Sequence, residues 1–252
     1  MRHTIDHGPA FTTLTFECDE GESVVAQPGV MLGMTTGFDV AAKMGSQMTG
    51  SGRISRSLRS LASGENFFTS VYTSKRSGET ITLAPPHPGE IRRIQANDAT
   101  PVMLATGAFM ACTAGVKFEL KYVGVRGMMS TRGLFLMRTT GEGDVFVSSH
   151  GALVERTLAD GERYVLDNRN IVAFSESVQC EMVKVAGTVR DSVMTGEGLV
   201  NRYTGPGFIL YQTRGAESRG MVRGLFEQPA SLGRVLLVLG QSLMVLAALA
   251  LC

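Results

Sequence analysis

The sequence predicts an all-β protein made of three internal repeats followed by a C-terminal apolar helix. Three observations predict this. A segment of 20 residues recurs twice more without gaps, a Gly-centred marker follows each copy, and the chain ends in a long run with a single charge.

The recurring segments are GESVVAQPGVMLGMTTGFDV from Gly21, ATPVMLATGAFMACTAGVKF from Ala99 and GERYVLDNRNIVAFSESVQC from Gly161. In register, Val24 matches Val102 and Tyr164, Met31 matches Phe109 and Ile171, and Phe38 matches Val116 and Val178. Side chains on a strand alternate faces with period two, so this spacing reads as two short strands around a turn. The turns fall at Pro28-Gly29, Thr106-Gly107 and Asn168-Arg169. Met31, Phe109 and Ile171 are expected to point inward, as are Phe38, Val116 and Val178. Gly33, Ala111 and Ala173 keep a small residue where another backbone approaches closely.

The second marker reads SGETITLA from Ser77, TGEGDVFV from Thr140 and TGPGFILY from Thr204, each a Gly turn feeding a strand. No helical pattern of 10–15 residues alternates with these strands, which excludes a parallel α/β fold. Adjoining repeats share a core, so residues 1–215 are read as one triplicated body. The first unit carries an insertion from Ala41 to Phe68. Within it ISRSLRSLA spaces Ile54, Leu58 and Leu61 along one side of a short helix, with Arg53, Arg56 and Arg59 opposite. That basic face is either solvated or holds an anion or partner.

Composition narrows the function. Lys plus Arg total 24 against 23 Asp plus Glu, for a formal charge of +1, and Trp is absent. Neither feature supports a nucleic-acid platform. Cys18, Cys112, Cys180 and Cys252 form no C-x-x-C pair. The N-terminal MRHTIDHGPAFTTLTF has no continuous apolar core of a secretory segment, so reduced thiols and a cytoplasmic body are expected.

As a set, several stretches resemble the altered-inheritance-of-mitochondria protein 24 family. They are GESVVAQPGVMLGM (21–34), SLASGENFFTSVY (60–72), HPGEI (87–91), ATGAFMACTAGV (105–116), TGEGDVFVSSHG (140–151), GERYVLDNRNIVAF (161–174) and GEGLVNRYTGPGFILYQTR (196–214). The resemblance implies a fold like the subunit of the tryptophan-responsive RNA-binding attenuation protein, a β-sandwich of the double-stranded β-helix type, repeated within one chain. It implies no catalytic residue, metal or cofactor, and a fold alone does not transfer RNA binding.

An enzyme needs clustered groups, and the candidates are scattered. His3 and His7 flank a terminal strand, and His87 lies between prolines in a turn. His150 stands beside Ser148 and Ser149 with no aspartate placed to complete a triad. The alternative for His150 is a pairing with Cys112. Glu22 and Glu162 occupy equivalent turns, and Glu142 and Glu197 sit in Gly-rich turns, all of which read as structural or solvated. SGSGRIS and TGEGD lack the Lys-Ser/Thr ending of a phosphate loop. No catalytic, cofactor or metal residue is therefore assigned.

Beyond the body, residues 216–231 read as an Arg/Gly-containing connector and 232–252 as an apolar helix. From Val235 the run has 18 residues, at the lower edge of a membrane span, behind Arg214, Arg219, Arg223 and Arg234. It reads equally as an anchor to the cytoplasmic face of an inner membrane, or as a helix packed on the body or on a neighbouring copy. The expected function is a non-enzymatic β-repeat scaffold or binding protein whose partner is itself or another protein. The alternative is a small-ligand or nucleic-acid binder using a groove between repeats.

Overall fold

The computed structural model describes residues 1–44, 48–49, 68–122, 135–184 and 199–215. The chain divides into two units, Met1–Gly215 and Ala216–Cys252, and the described residues all lie in the first. It opens with β1 (Arg2–Asp6). The first repeat then follows as β2 (Thr13–Cys18), β3 (Ser23–Ala26), β4 (Met31–Met34) and β5 (Phe38–Met44), with β6 (Met48–Thr49) in its insertion, then β7 (Phe68–Ser74) and β8 (Glu79–Leu83). The second repeat is β9 (Ile91–Ala96), β10 (Val102–Ala105), β11 (Phe109–Thr113), β12 (Val116–Tyr122), β13 (Phe135–Gly141) and β14 (Gly143–Ser148). The third is β15 (Leu153–Leu158), β16 (Arg163–Leu166), β17 (Ile171–Ser175), β18 (Gln179–Lys184), β19 (Leu199–Thr204) and β20 (Gly207–Gln212).

One pairing scheme serves all three repeats. The sixth strand lies between the first and third, as β8 does between β2 and β4, and likewise β14 and β20. The fifth strand lies between the second and fourth, as β7 does between β3 and β5, and likewise β13 and β19. Even the irregularity repeats: the ladder to the sixth strand slips between Met31 and Gly33, Phe109 and Ala111, and Ile171 and Ala173. These are equivalent positions in the sequence register. A bulge there bends the strand where the chain has just left one sheet for another. Gly21 and Gly161 open their units with the same positive φ, 81° and 72°, a conformation glycine adopts without steric cost.

Burial follows the alternation. In β2, Leu14, Phe16 and Cys18 are buried while Thr13, Thr15 and Glu17 are half-buried, and β8 beside it buries Ile81 and Leu83. On the opposite face of this pair the Thr15 and Thr82 hydroxyls meet at 3.0 Å. Among the described residues the buried apolar side chains fall into three clusters. The second repeat contributes to each, with Met110, Ala111 and Phe146 in the first repeat's cluster and Met103 and Leu136 in the third's. The repeats accordingly share their cores.

Two expectations are corrected. The sheets are a four-stranded β1-β2-β8-β4, a seven-stranded β15-β20-β17-β10-β13-β12-β6, a six-stranded β5-β7-β3-β11-β14-β9 and a three-stranded β16-β19-β18. Among the described residues none closes on itself, so the double-stranded β-helix is replaced by open sheets. The reason lies in the joints: the second strand of one repeat pairs with the third strand of the next, β3 with β11 and β10 with β17. Sheets therefore run across repeats instead of wrapping each one.

The second correction concerns helices. The described residues hold a 3-10 turn at Thr106–Ala108 and no helix long and apolar enough to cross a membrane. The structure thus gives the expected C-terminal helix and its membrane association no support. The tail 216–252 and the Arg53/Arg56/Arg59 segment lie outside the described residues.

Candidate functional site

The candidate chemical residues are not brought together as a catalytic group. His3 on β1 leans on Phe146 at 5.0 Å between ring centres, with Nδ1 3.9 Å from the Asp144 carboxylate. His7 Nδ1 instead meets the Thr13 hydroxyl at 3.0 Å. His87 and His150 stack at 4.4 Å, a contact with no signal in their sequence spacing. They meet because the loops before β9 and β15 run side by side, joined by a parallel bridge between Gly89 and Gly151. Ser149 is engaged in that joint: its hydroxyl donates to Gly151 O at 2.7 Å and accepts the Glu90 N–H at 3.1 Å. Among the described residues no group of three or more His, Cys, Asp or Glu is placed to hold a metal ion.

Cys18 and Cys112 are buried, and Cys180 is exposed. Burial pushes the Cys18 thiol up to about 11 and raises that of Cys112 further, so neither supplies a thiolate near neutral pH. Cys112 belongs to the central core cluster, which removes it from any pairing with His150 at a surface loop.

Glu22 and Glu162 do the same turn-closing work at their equivalent positions. Glu22 Oε2 accepts the Asp19 N–H at 2.8 Å, and Glu162 Oε2 accepts the Ala159 N–H at 2.9 Å. That backbone bond, with the Arg156 guanidinium second, holds the Glu162 carboxyl below its ordinary value of 4.5. A depressed folded pKa stabilises above the unfolded value and is lost as pH falls through the folded one. Glu162→Gln is therefore expected to lower the melting temperature at pH 7, with the gap to the parent chain closing as pH falls below the ordinary carboxyl range and through the depressed folded value. A gap independent of pH assigns the effect to geometry alone.

A groove of about 740 Å³ lies where the second and third repeats meet. Its floor is apolar, with Val102, Phe208 and Leu210, and its rim carries Arg92, Arg93 and Glu155. The rim charges are paired: Arg92 with Glu155 at 3.2 Å and Arg93 with Asp144 at 2.8 Å. An incoming anion would have to displace those carboxylates, so the groove is poorly suited to a phosphate backbone.

β4 departs from its two sister strands. The third strands β11 and β17 each have a strand on both sides and bury their first four residues. β4 has only β8 beside it among the described residues, and all four of its residues are exposed. Met31 is 42% exposed, Leu32 66% and Met34 39%, whereas the equivalent Phe109, Met110, Cys112, Ile171, Val172 and Phe174 are buried. The expectation that Met31 points inward is corrected for this reason. The second strand of the last repeat mirrors this. β16 has β19 on one side and no strand on the other among the described residues. Tyr164 faces Tyr211, hydroxyl to hydroxyl at 3.4 Å, under the Arg156 guanidinium at 4.6 Å. Val165 is left 51% exposed, although its equivalents Val25 and Met103 are buried.

The family described as Mitochondrial biogenesis AIM24 matches residues 3–214. The chain belongs to the AIM24 family. An uncharacterised protein of Streptococcus pyogenes serotype M6 is 31% identical over 220 residues, covering 86% of this chain and 87% of that protein. The crystal structure of a Streptococcus pyogenes protein superposes with a TM-score of 0.68 at 30% identity, covering 86% of this chain and 94% of the other. The family's description names mitochondrial biogenesis. The match spans the triplicated body, and the exposed β4 lies inside it.

Proposed function

We propose that this AIM24 protein is a non-enzymatic β-repeat scaffold whose working surface is the apolar edge of β4. One observation carries the reading: β4 exposes apolar side chains at the positions its two sister strands bury. A sheet edge with free backbone groups and exposed apolar residues is a template for strand addition. Backbone pairing supplies the affinity there, and alternate side chains supply the selectivity.

The test replaces Leu32 and Met34 by lysine in the full chain. These side chains are outside the cores, so at a concentration where the parent is a single chain the unfolding free energy is expected to stay within about 0.5 kcal/mol of it. Sedimentation of purified protein and of extracts from cells making it should show loss of every association the parent chain forms. Unchanged sedimentation overturns the reading. The alternative, a ligand in the groove between the second and third repeats, is favoured by its apolar floor. A binding or turnover signal that disappears in Arg92→Ala and persists in the β4 variant would move the function to that groove.

A further inference from the structure

We infer that β4 of one copy pairs with β16 of another, in a register already written twice inside the chain. The inference rests on the edge-association reading and names its partner. Within the chain, second and third strands of successive repeats pair antiparallel. Val24, Val25 and Ala26 stand opposite Thr113, Cys112 and Ala111. Val102, Met103 and Leu104 stand opposite Ser175, Phe174 and Ala173. In the common repeat register these two junctions are the same junction.

Three repeats joined in series form that junction twice and leave one second strand and one third strand over. The leftovers are β16 and β4, each with a strand on one side only among the described residues. Carrying the rule forward puts Tyr164, Val165 and Leu166 opposite Thr35, Met34 and Gly33. Val165 and Met34, each exposed in a single chain, become direct cross-strand partners. Gly33 takes the place of Ala111 and Ala173, so the position facing Leu166 is small as in both internal junctions. A slip of one residue would turn both apolar sets to the wrong faces, which makes the register specific. Each copy offers one strand of each kind, so the contact is head-to-tail and its product closes as a ring or runs on as a fibre.

Disulfide capture in full-length protein tests this. In a Cys180→Ser, Cys252→Ser background, a Met34→Cys chain is mixed with a Val165→Cys chain and mildly oxidised. Directly opposed residues hold their Cβ atoms about 4.5–5.5 Å apart, close enough for disulfide formation with slight adjustment. A mixed disulfide of two chains is expected at least tenfold above the off-register pair Met34→Cys with Tyr164→Cys. Light scattering of the parent chain is expected to give a multiple of 27.0 kDa, reduced to one chain by Val165→Lys.

Equal capture of both pairs overturns the inference, as does a parent chain that is monomeric at every concentration. Capture only within one chain carrying both cysteines also overturns it, in favour of closure within a molecule. A monomer that still loses associations with other proteins on Leu32→Lys/Met34→Lys refutes self-pairing and leaves the scaffold reading standing. A monomer with no edge-dependent association refutes both.

Discussion

Phe109→Ala is expected to lower the unfolding free energy by about 3–5 kcal/mol, while Met31→Ala at the equivalent position costs about 0.5 kcal/mol or less. Phe109 is buried in the central cluster, edge-on to Phe118 at 5.1 Å between ring centres. The two rings belong to different sheets, Phe109 to the six-stranded one and Phe118 to the seven-stranded one. Truncation removes the aromatic contact and opens a space that two hydrogen-bonded sheets cannot easily close. Met31 has no such surroundings, because among the described residues β4 lacks the second neighbour that buries its sisters. Urea unfolding with an unchanged m-value reads both costs. A loss below about 1 kcal/mol for Phe109→Ala with the fold intact would place its ring on the wrong face.

That contrast marks what the sequence can and cannot show. The middle of each repeat was legible because its strands begin in a shared register and its turns carry glycine, as at Gly21 and Gly161. The first strand of each repeat was not. β2, TLTFEC, alternates cleanly, but β9, IRRIQA, and β15, LVERTL, carry charged middles and bury only their ends. Their pattern is set by a sixth strand lying dozens of residues away, which local periodicity does not encode.

Sheet membership was hidden for the same reason. The turns at Gly29 and Asn168 read as connections between neighbours, yet they carry the chain from one sheet to another. The double-stranded β-helix expected from resemblance assumes that each repeat closes on itself, whereas β3 and β10 reach into the next repeat. The His87–His150 stack depends on two loops meeting and leaves no trace in spacing. The candidate site is a subtler case. Composition does not distinguish MLGM of β4 from FMACT of β11 as exposed against buried. Counting does: once the joint between repeats is known, three repeats in series leave one third strand and one second strand outside that joint.

The joint between repeat entrances gives the second large effect. Gly89→Ala is expected to cost about 3–5 kcal/mol, where Gly33→Ala stays within about 0.5 kcal/mol. A Cβ at Gly89 would lie 1.8 Å from the Ser149 carbonyl oxygen, 2.7 Å from its carbon and 3.2 Å from the Gly151 nitrogen. All three atoms are backbone, so no rotamer change relieves the overlap. That backbone is also bonded: Gly89 N–H donates to Ala10 O at 2.7 Å, and Gly151 N–H donates to Pro88 O at 3.0 Å. Thr12 adds a hydroxyl donated to Gly89 O at 3.0 Å from a buried position. Moving Gly89 away from Ser149 strains the bonds that tie the starts of all three repeats through the bridges Phe11–Gly89 and Gly89–Gly151. At Gly33 nothing lies within 4 Å of an added methyl, and alanine already stands at the equivalent positions 111 and 173. The check is thermal or urea unfolding of the two variants side by side. Equal, small losses would mean that the entrance loops can part without disturbing the sheets, and that the repeats are held together by their strand joints alone.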